Sequence, residues 1–201
     1  MNLTVEQNKL LVEKYPFLQP RSVWTDEISE DYAFEYINGV GDVPRGWERL
    51  FLLFAKHLKI ELDKYHYTDK FRFTQVKEKY GSMRLYNNGY PKDSNVSELE
   101  YIFEHLSTYV CEDCGRIAKY ETPGWITELC ESCFKSCYQH LYLEQRSKYK
   151  LHRKNYTVKV SGWDKELGHY TKRYDCRPYW NEYLKCLKMT DDEFINYILV
   201  S

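Results

Sequence analysis

The chain has 201 residues, of which 43% are hydrophobic and 29% charged, and its formal net charge is −1. That length supplies one large domain, or one domain with a small appendage, and the apolar fraction supplies a core. The balance of charge and hydrophobicity, with no low-complexity run, excludes a disordered chain, and no apolar run approaches the roughly 20 residues of a membrane span.

The small net charge hides an asymmetry. Residues 1–63 carry seven Lys/Arg and eleven Asp/Glu, whereas residues 134–174 carry ten Lys/Arg and three Asp/Glu. A basic surface favours an anionic partner such as nucleotide, nucleic acid or an acidic protein, and a solvated lysine-rich helix explains it equally well. The seven cysteines are odd in number, and the start Met-Asn-Leu-Thr-Val-Glu-Gln lacks the basic and apolar regions of a signal peptide. The expectation is reduced thiols in a cytoplasmic protein with no membrane partner. The 20 tyrosines, five tryptophans and nine phenylalanines fit core packing, base stacking or a coding bias.

Taken in chain order, Thr4-x-x-Gln7 is a capping box that opens a helix to about Lys14, and Tyr15-Pro16 stops it. Residues 16–44 give no firm pattern: Tyr-Ala-Phe-Glu-Tyr at 32–36 suits a strand or a helical turn. Pro44-Arg-Gly-Trp47 opens the best helix, with Trp47, Leu50, Phe51, Phe54, Leu58 and Leu62 on one face. From Phe71 the period becomes two, and Phe71 to Tyr86 reads as a β-hairpin turning at Gly81. Ser97-x-x-Glu100 marks a second capping box and a helix that leads to Cys111. A basic helix is expected over 134–149, a strand over 156–160, then a loop or second short hairpin to Tyr174. Pro178 begins a helix with Trp180, Tyr183, Leu184 and Leu187 on its apolar face, and Thr190-x-x-Glu193 caps the last one.

The strongest chemical signal is Cys111-Glu-Asp-Cys114, fifteen residues, then Cys130-Glu-Ser-Cys133. Two Cys-x-x-Cys pairs at this spacing fit a four-cysteine zinc ribbon, with Gly115 permitting the turn that lets amides face the thiolates. An iron–sulfur cluster is the main competitor. A four-thiolate site has no open position for water or substrate, so the Zn2+ is expected to be structural rather than catalytic. Cys137, Cys176 and Cys186 are read as small buried groups, with Cys137 near enough to shield the metal. His140, His152 and His169 have no partner at ligand spacing.

No phosphate loop, nucleophile elbow or paired carboxylate motif is present. The remaining candidate is the hairpin: residues 70–84 hold Lys70, Arg72, Lys77, Lys79 and Arg84 against Glu78 alone. Plain alternation puts Gln75, Lys77 and Lys79 on the same face as Phe71 and Phe73, as if an apolar face left the core and entered a cleft. There Lys77, Lys79 and Arg84 would hold phosphate or carboxylate, helped by Gln75 and by Trp47 or Tyr80. A solvated edge whose lysines discourage strand addition is the plainer reading.

The series Pro44-x-Gly-Trp47, Gln75-Val-Lys-Glu-Lys-Tyr-Gly-Ser-Met-Arg-Leu-Tyr86, Cys111-x-x-Cys-Gly115, Gly124-Trp-Ile126 and Cys130-x-x-Cys133 resembles a family of small uncharacterised proteins of phages and prophages. The resemblance covers roughly residues 8–135. It implies a mobile-element setting, in which small non-enzymatic proteins bind host molecules or sequester host nucleotide signals.

The expected fold class is α+β, helices on a small antiparallel sheet, divided into a core at 1–110, a four-cysteine element at 111–135, and a basic helix, strands and C-terminal helices at 136–201. The expected function is non-enzymatic binding of an anionic, nucleotide-like ligand or a host factor. The alternatives are nucleic-acid or transcription-machinery binding through the ribbon and basic helix, and an enzyme of unrecognised type.

Overall fold

The computed structural model describes residues 1, 3–22, 24–25, 27–28, 43–140, 149–151, 155–166 (backbone only at 164) and 168–201. The ambiguous stretch at 32–36, His152 and most of the expected basic helix beyond 140 lie outside the described residues. The described elements are six helices and three antiparallel pairs of strands, an α+β architecture.

Helix α1 (Val5–Lys14) begins at the expected capping box, in which Thr4 Oγ1 accepts the Gln7 amide and Gln7 Oε1 accepts the Thr4 amide. A 3-10 turn at Arg45–Trp47 runs into helix α2 (Glu48–Asp63). Residues 50–55 of α2 are buried on every side, as a helix at the centre of a core must be. Phe51 and Phe54 meet Phe73 at centroid separations of 5.6 and 6.2 Å, and Phe17 and Phe71 close the same aromatic cluster. Each fully buried ring or leucine contributes about 1.5–3 kcal/mol from its removal from water.

The first hairpin pairs β1 (Phe73–Lys79) with β2 (Ser82–Asn87). Tyr80 and Gly81 both have positive φ, 54° and 70°, the two-residue turn whose twist matches the strands. The register slips by one between Phe73 and Gln75, so Thr74 is an extra residue. This bulge corrects the simple alternation. Phe73 faces the core, and after the slip Val76, Met83 and Leu85 take the inward positions while Gln75, Lys77 and Lys79 face outward.

Helix α3 (Val96–Ser107) covers the outer edge of β2: Ser107 Oγ accepts the Met83 amide at 2.8 Å and Glu104 Oε1 the Leu85 amide at 2.9 Å. The capping box expected at Ser97 does not form. The helix starts two residues earlier, with Asn95 at its N-cap, the Asn95 amide donates to Glu61 at 2.8 Å, and Glu100 instead accepts from the Asn87 side chain.

The four-cysteine element comprises β3 (Tyr120–Glu121), β4 (Glu128–Leu129) and the short helix α4 (Glu131–Cys137). Its own small core joins Cys111, Tyr120, Leu129, Cys130 and Phe134. Of the two alternatives for the stretch after residue 155, the second hairpin is the one that forms, and it is longer than expected: β5 (Thr157–Asp164) pairs with β6 (Gly168–Asp175). Helices α5 (Arg177–Cys186) and α6 (Asp191–Val200) bury Trp180, Tyr183, Phe194 and Ile198 in the main core. Lys14 Nζ and the Tyr15 hydroxyl donate to the Ile198 carbonyl, satisfying the C-terminal turn of α6.

Candidate metal centre and anion-binding groove

The first cysteine pair forms a tight knuckle. The Gly115 amide donates to the Cys111 carbonyl at 2.9 Å, the Cys111 amide to the Arg116 carbonyl at 2.7 Å, and Gly115 takes a φ of 75° that suits glycine. The second pair lies at the start of α4, with Cys130 as its N-cap and Cys133 in its first turn. The Phe134 ring anchors this helix by stacking on Tyr120 at 4.7 Å.

These two local structures bring all four sulfurs within 4.8 Å of one another, with Cys114 and Cys130 at 3.5 Å. A metal about 2.3 Å from each sulfur needs tetrahedral S···S edges of about 3.8 Å, so the cluster fits one metal ion with small adjustment. Polar groups surround it. Arg116 Nε approaches Cys114 Sγ at 3.4 Å, its Nη2 donates to Ser132 Oγ at 2.6 Å, and Ser132 Oγ lies 3.1 Å from Cys130 Sγ. Burial raises the Cys111 thiol. Burial opposes ionisation of Cys130 too, but hydrogen bonds from Ser132 and the Cys133 amide outweigh it and lower that thiol. The arrangement is a closed ligand set with charge-compensating neighbours, and hydrogen bonds to the thiolates orient it.

The knuckle is docked on the main core by residues that the sequence pattern singled out for other reasons. The Gly46 amide donates to the Glu112 carbonyl at 2.7 Å, Trp47 Nε1 to the Val110 carbonyl at 3.0 Å and the Tyr183 hydroxyl to the Gly115 carbonyl at 2.7 Å. The stacking role considered for Trp47 is therefore corrected: its ring is fully buried and its polar end is occupied by the knuckle. Cys176 and Cys186 are buried as expected, whereas Cys137 is exposed at the end of α4. The expected helix over 134–149 breaks at Tyr138, whose φ of −133° and ψ of 44° leave the helical region.

Of the hairpin candidates, Gln75, Lys77, Lys79 and Arg84 share the outward face. Lys77 lies opposite Arg84, Gln75 opposite Tyr86 and Lys79 opposite Ser82. Lys77 Nζ sits 5.4 Å from the Tyr86 ring centroid and Lys79 Nζ 5.5 Å from that of Tyr80, which is 71% exposed. Arg84 Nη1 reaches Glu104 Oε2 at 3.3 Å and borders a groove of about 490 Å³. The groove is walled by β2, α3 and residues 158–161 of β5, with Ser82, Tyr101, His105, Thr108 and Lys159 along it. Sequence reasoning found the hairpin but not its far wall, because the second hairpin has weak alternation and lies 70 residues downstream. Arg116 and Ser132 were also missed, although both sit within two residues of a metal ligand.

A scan of protein-family models, a search of curated proteins and a search of solved structures each find no match to this chain. Fold and site together define an α+β protein carrying a ribbon-like four-cysteine element able to hold a metal ion.

Proposed function

We propose that this protein is a non-enzymatic binding protein, held together by a structural Zn2+ on Cys111, Cys114, Cys130 and Cys133, that captures an anionic, nucleotide-like ligand or a host factor on the outer face of its first hairpin. The observation that carries the reading is the cross-strand pair Lys77–Arg84, flanked by Lys79 and Gln75 on a face turned outward by the bulge and bordering a groove at Arg84. Two ammonium groups and a planar guanidinium on one strand pair suit a phosphate or carboxylate. Tyr80 supports it: a tyrosine held at φ 54° with its ring in solvent occupies a place where stability favours Gly or Asn. Four thiolates favour zinc over harder cations. A phage or prophage setting, implied by the motif resemblance, would make the ligand a host signal and the protein an anti-defence factor in the host cytoplasm.

The test is a thermal-shift panel of nucleotides and oligonucleotides at low and moderate salt, run on the native chain and on a triple variant, Lys77→Gln, Lys79→Gln and Arg84→Gln. A nucleotide that raises Tm with modest salt dependence, and no longer does so in the triple variant, supports the reading. Unchanged affinity in a folded triple variant overturns it. Nucleic-acid binding is the second reading, favoured by Trp125, 78% exposed, and by a cavity of about 530 Å³ beside the cysteines, where Arg116, Lys119 and Lys135 outnumber Glu131, which pairs with both lysines. It predicts oligonucleotide affinity that falls steeply with salt.

A further inference from the structure

The two strand edges that border the groove are treated differently. On β2 the outward amides of Met83 and Leu85 are taken by Ser107 and Glu104. On β5 the ladder can be phased from its end. The Cys176 amide donates to the Tyr156 carbonyl at 2.7 Å, and the Thr157 amide turns away from β6 to Asn155 Oδ1 at 3.1 Å. Hydrogen-bonded and non-hydrogen-bonded pairs alternate along an antiparallel ladder, so Val158–Tyr174 and Val160–Lys172 are the hydrogen-bonded ones. The amides and carbonyls of Lys159 and Ser161 then point away from β6, and these two residues stand in the groove wall. Among the described residues, no group hydrogen-bonds those backbone atoms.

We infer that the groove receives an extended, carboxylate-bearing peptide segment of a partner protein, which adds to β5 as a third strand. Main-chain bonds to Lys159 and Ser161 give the affinity of such strand addition, and side-chain contacts give its specificity. The four wall residues 158–161 span about 13 Å, room for a strand of about four residues in the 490 Å³ groove. Charge selects the side chains. Arg84, Lys159 and Glu104 give the groove a net charge of +1: Glu104 is held by the Leu85 amide and by Arg84, and Lys159 is the cation left without a carboxylate beside it among the described residues. An acidic side chain of the peptide meets Lys159 at the side where Arg84 borders the groove, and the opposite row lies over Tyr101 and Thr108. This goes beyond anion capture on the hairpin face and shares only Arg84 with it.

The test pans a random peptide library against the full-length, metal-loaded protein and measures the enriched peptides by fluorescence anisotropy and amide hydrogen exchange. The decisive variant is Ser161→Pro, which removes an edge donor that does not pair with β6. Expected are acidic, alternating sequences that slow exchange at Lys159 and Ser161, lose roughly tenfold or more in affinity against Ser161→Pro, and lose affinity against Arg84→Gln. Should Ser161→Pro fail to fold, backbone N-methylation of the peptide at alternate residues removes the same bonds from the other side. The inference is overturned by failure to enrich any peptide, by equal binding to Ser161→Pro or to the N-methylated peptide, or by a homodimer that uses the β5 edge instead. Where any of these outcomes overturns the inference, a nucleotide-induced shift that is still present in Ser161→Pro shows that the hairpin reading has not failed with it.

Discussion

The α-carbon of Gly46 faces the carbonyl oxygen of Cys111 so closely that a β-carbon at residue 46 would sit 2.1 Å from it. The obstacle is backbone, 2.5 Å away again at the Glu112 carbonyl, so no rotamer change relieves it. Gly46→Ala is expected to destabilise the protein by about 2 kcal/mol or more and to lower metal affinity with it, because the knuckle must move off the core. Thermal unfolding with and without chelator measures both effects. Trp47→Phe loses the buried bond to Val110 and leaves a small cavity where the larger indole ring was packed, and should cost about 2 kcal/mol or more.

One metal per chain is expected by elemental analysis, and it should be zinc. Chelation should lower Tm and open the short helix α4, whose first turn carries two of the four ligands. Cys114→Ser should abolish stoichiometric binding. Arg116→Gln removes the guanidinium that approaches Cys114 and bonds Ser132, and should speed metal loss to a chromogenic chelator roughly tenfold while leaving the stoichiometry at one.

Deleting Thr74 should be far worse than changing it. The deletion removes the bulge, so that Gln75, Lys77 and Lys79 rotate into the positions now held by Val76 and its neighbours, or Phe73 leaves the core. Several kcal/mol of stability would be lost, read by urea unfolding, whereas Thr74→Ala at the same exposed position should be nearly silent.

That extra residue marks the limit of what the chain discloses. The helix from residue 48, the capping boxes at Thr4 and Thr190, the hairpin turn and the cysteine spacing are local patterns, and each is visible in a few consecutive residues. A bulge leaves no such mark, since the period of two simply changes phase at Thr74. The failed box at Ser97 shows the same limit. Glu100 has the right spacing, but Asn87 and Tyr90 compete for it from a distant strand and loop. Docking of the knuckle by Gly46, Trp47 and Tyr183 joins residues up to 68 apart and has no local signature. The aromatic count likewise divides into core rings and a few exposed ones only once burial is known.

Tyr80 gives a prediction in which stability and binding move in opposite directions. Tyr80→Gly relieves a positive φ at the hairpin turn and should raise stability by about 0.5–1 kcal/mol. The same change removes the ring that Lys79 approaches, and it should weaken the anionic ligand. A variant that is more stable and binds as well as the native chain would show that the turn has no part in recognition.

Two carboxyls give opposite pH dependences. Burial alone would raise the Glu182 carboxyl, but hydrogen bonds from His57, Tyr197 and Lys56 outweigh it and hold the group at about 2. Its stabilisation is present above the ordinary carboxyl range near 4.5 and is lost as pH falls toward 2, on the order of 2 kcal/mol in all. Glu100 behaves the other way. Burial and the neighbouring Glu104 carboxylate push it up to about 7, against hydrogen bonds from Asn87 and Tyr90. The folded state therefore binds a proton that the unfolded chain releases, and the contribution, complete below about 4.5, is lost as pH rises through 7. Urea midpoints measured from pH 2.5 to 8.5 should rise, pass a maximum and fall. Glu182→Gln should flatten the acid limb and lower the plateau, because Lys56 and His57 lose their anion. Glu100→Gln should make the alkaline limb shallower and leave the acid one intact, the remainder coming from Glu112, which burial and the neighbouring Glu78 also push up to about 7; an alkaline limb unchanged in Glu100→Gln would place that share of the proton elsewhere.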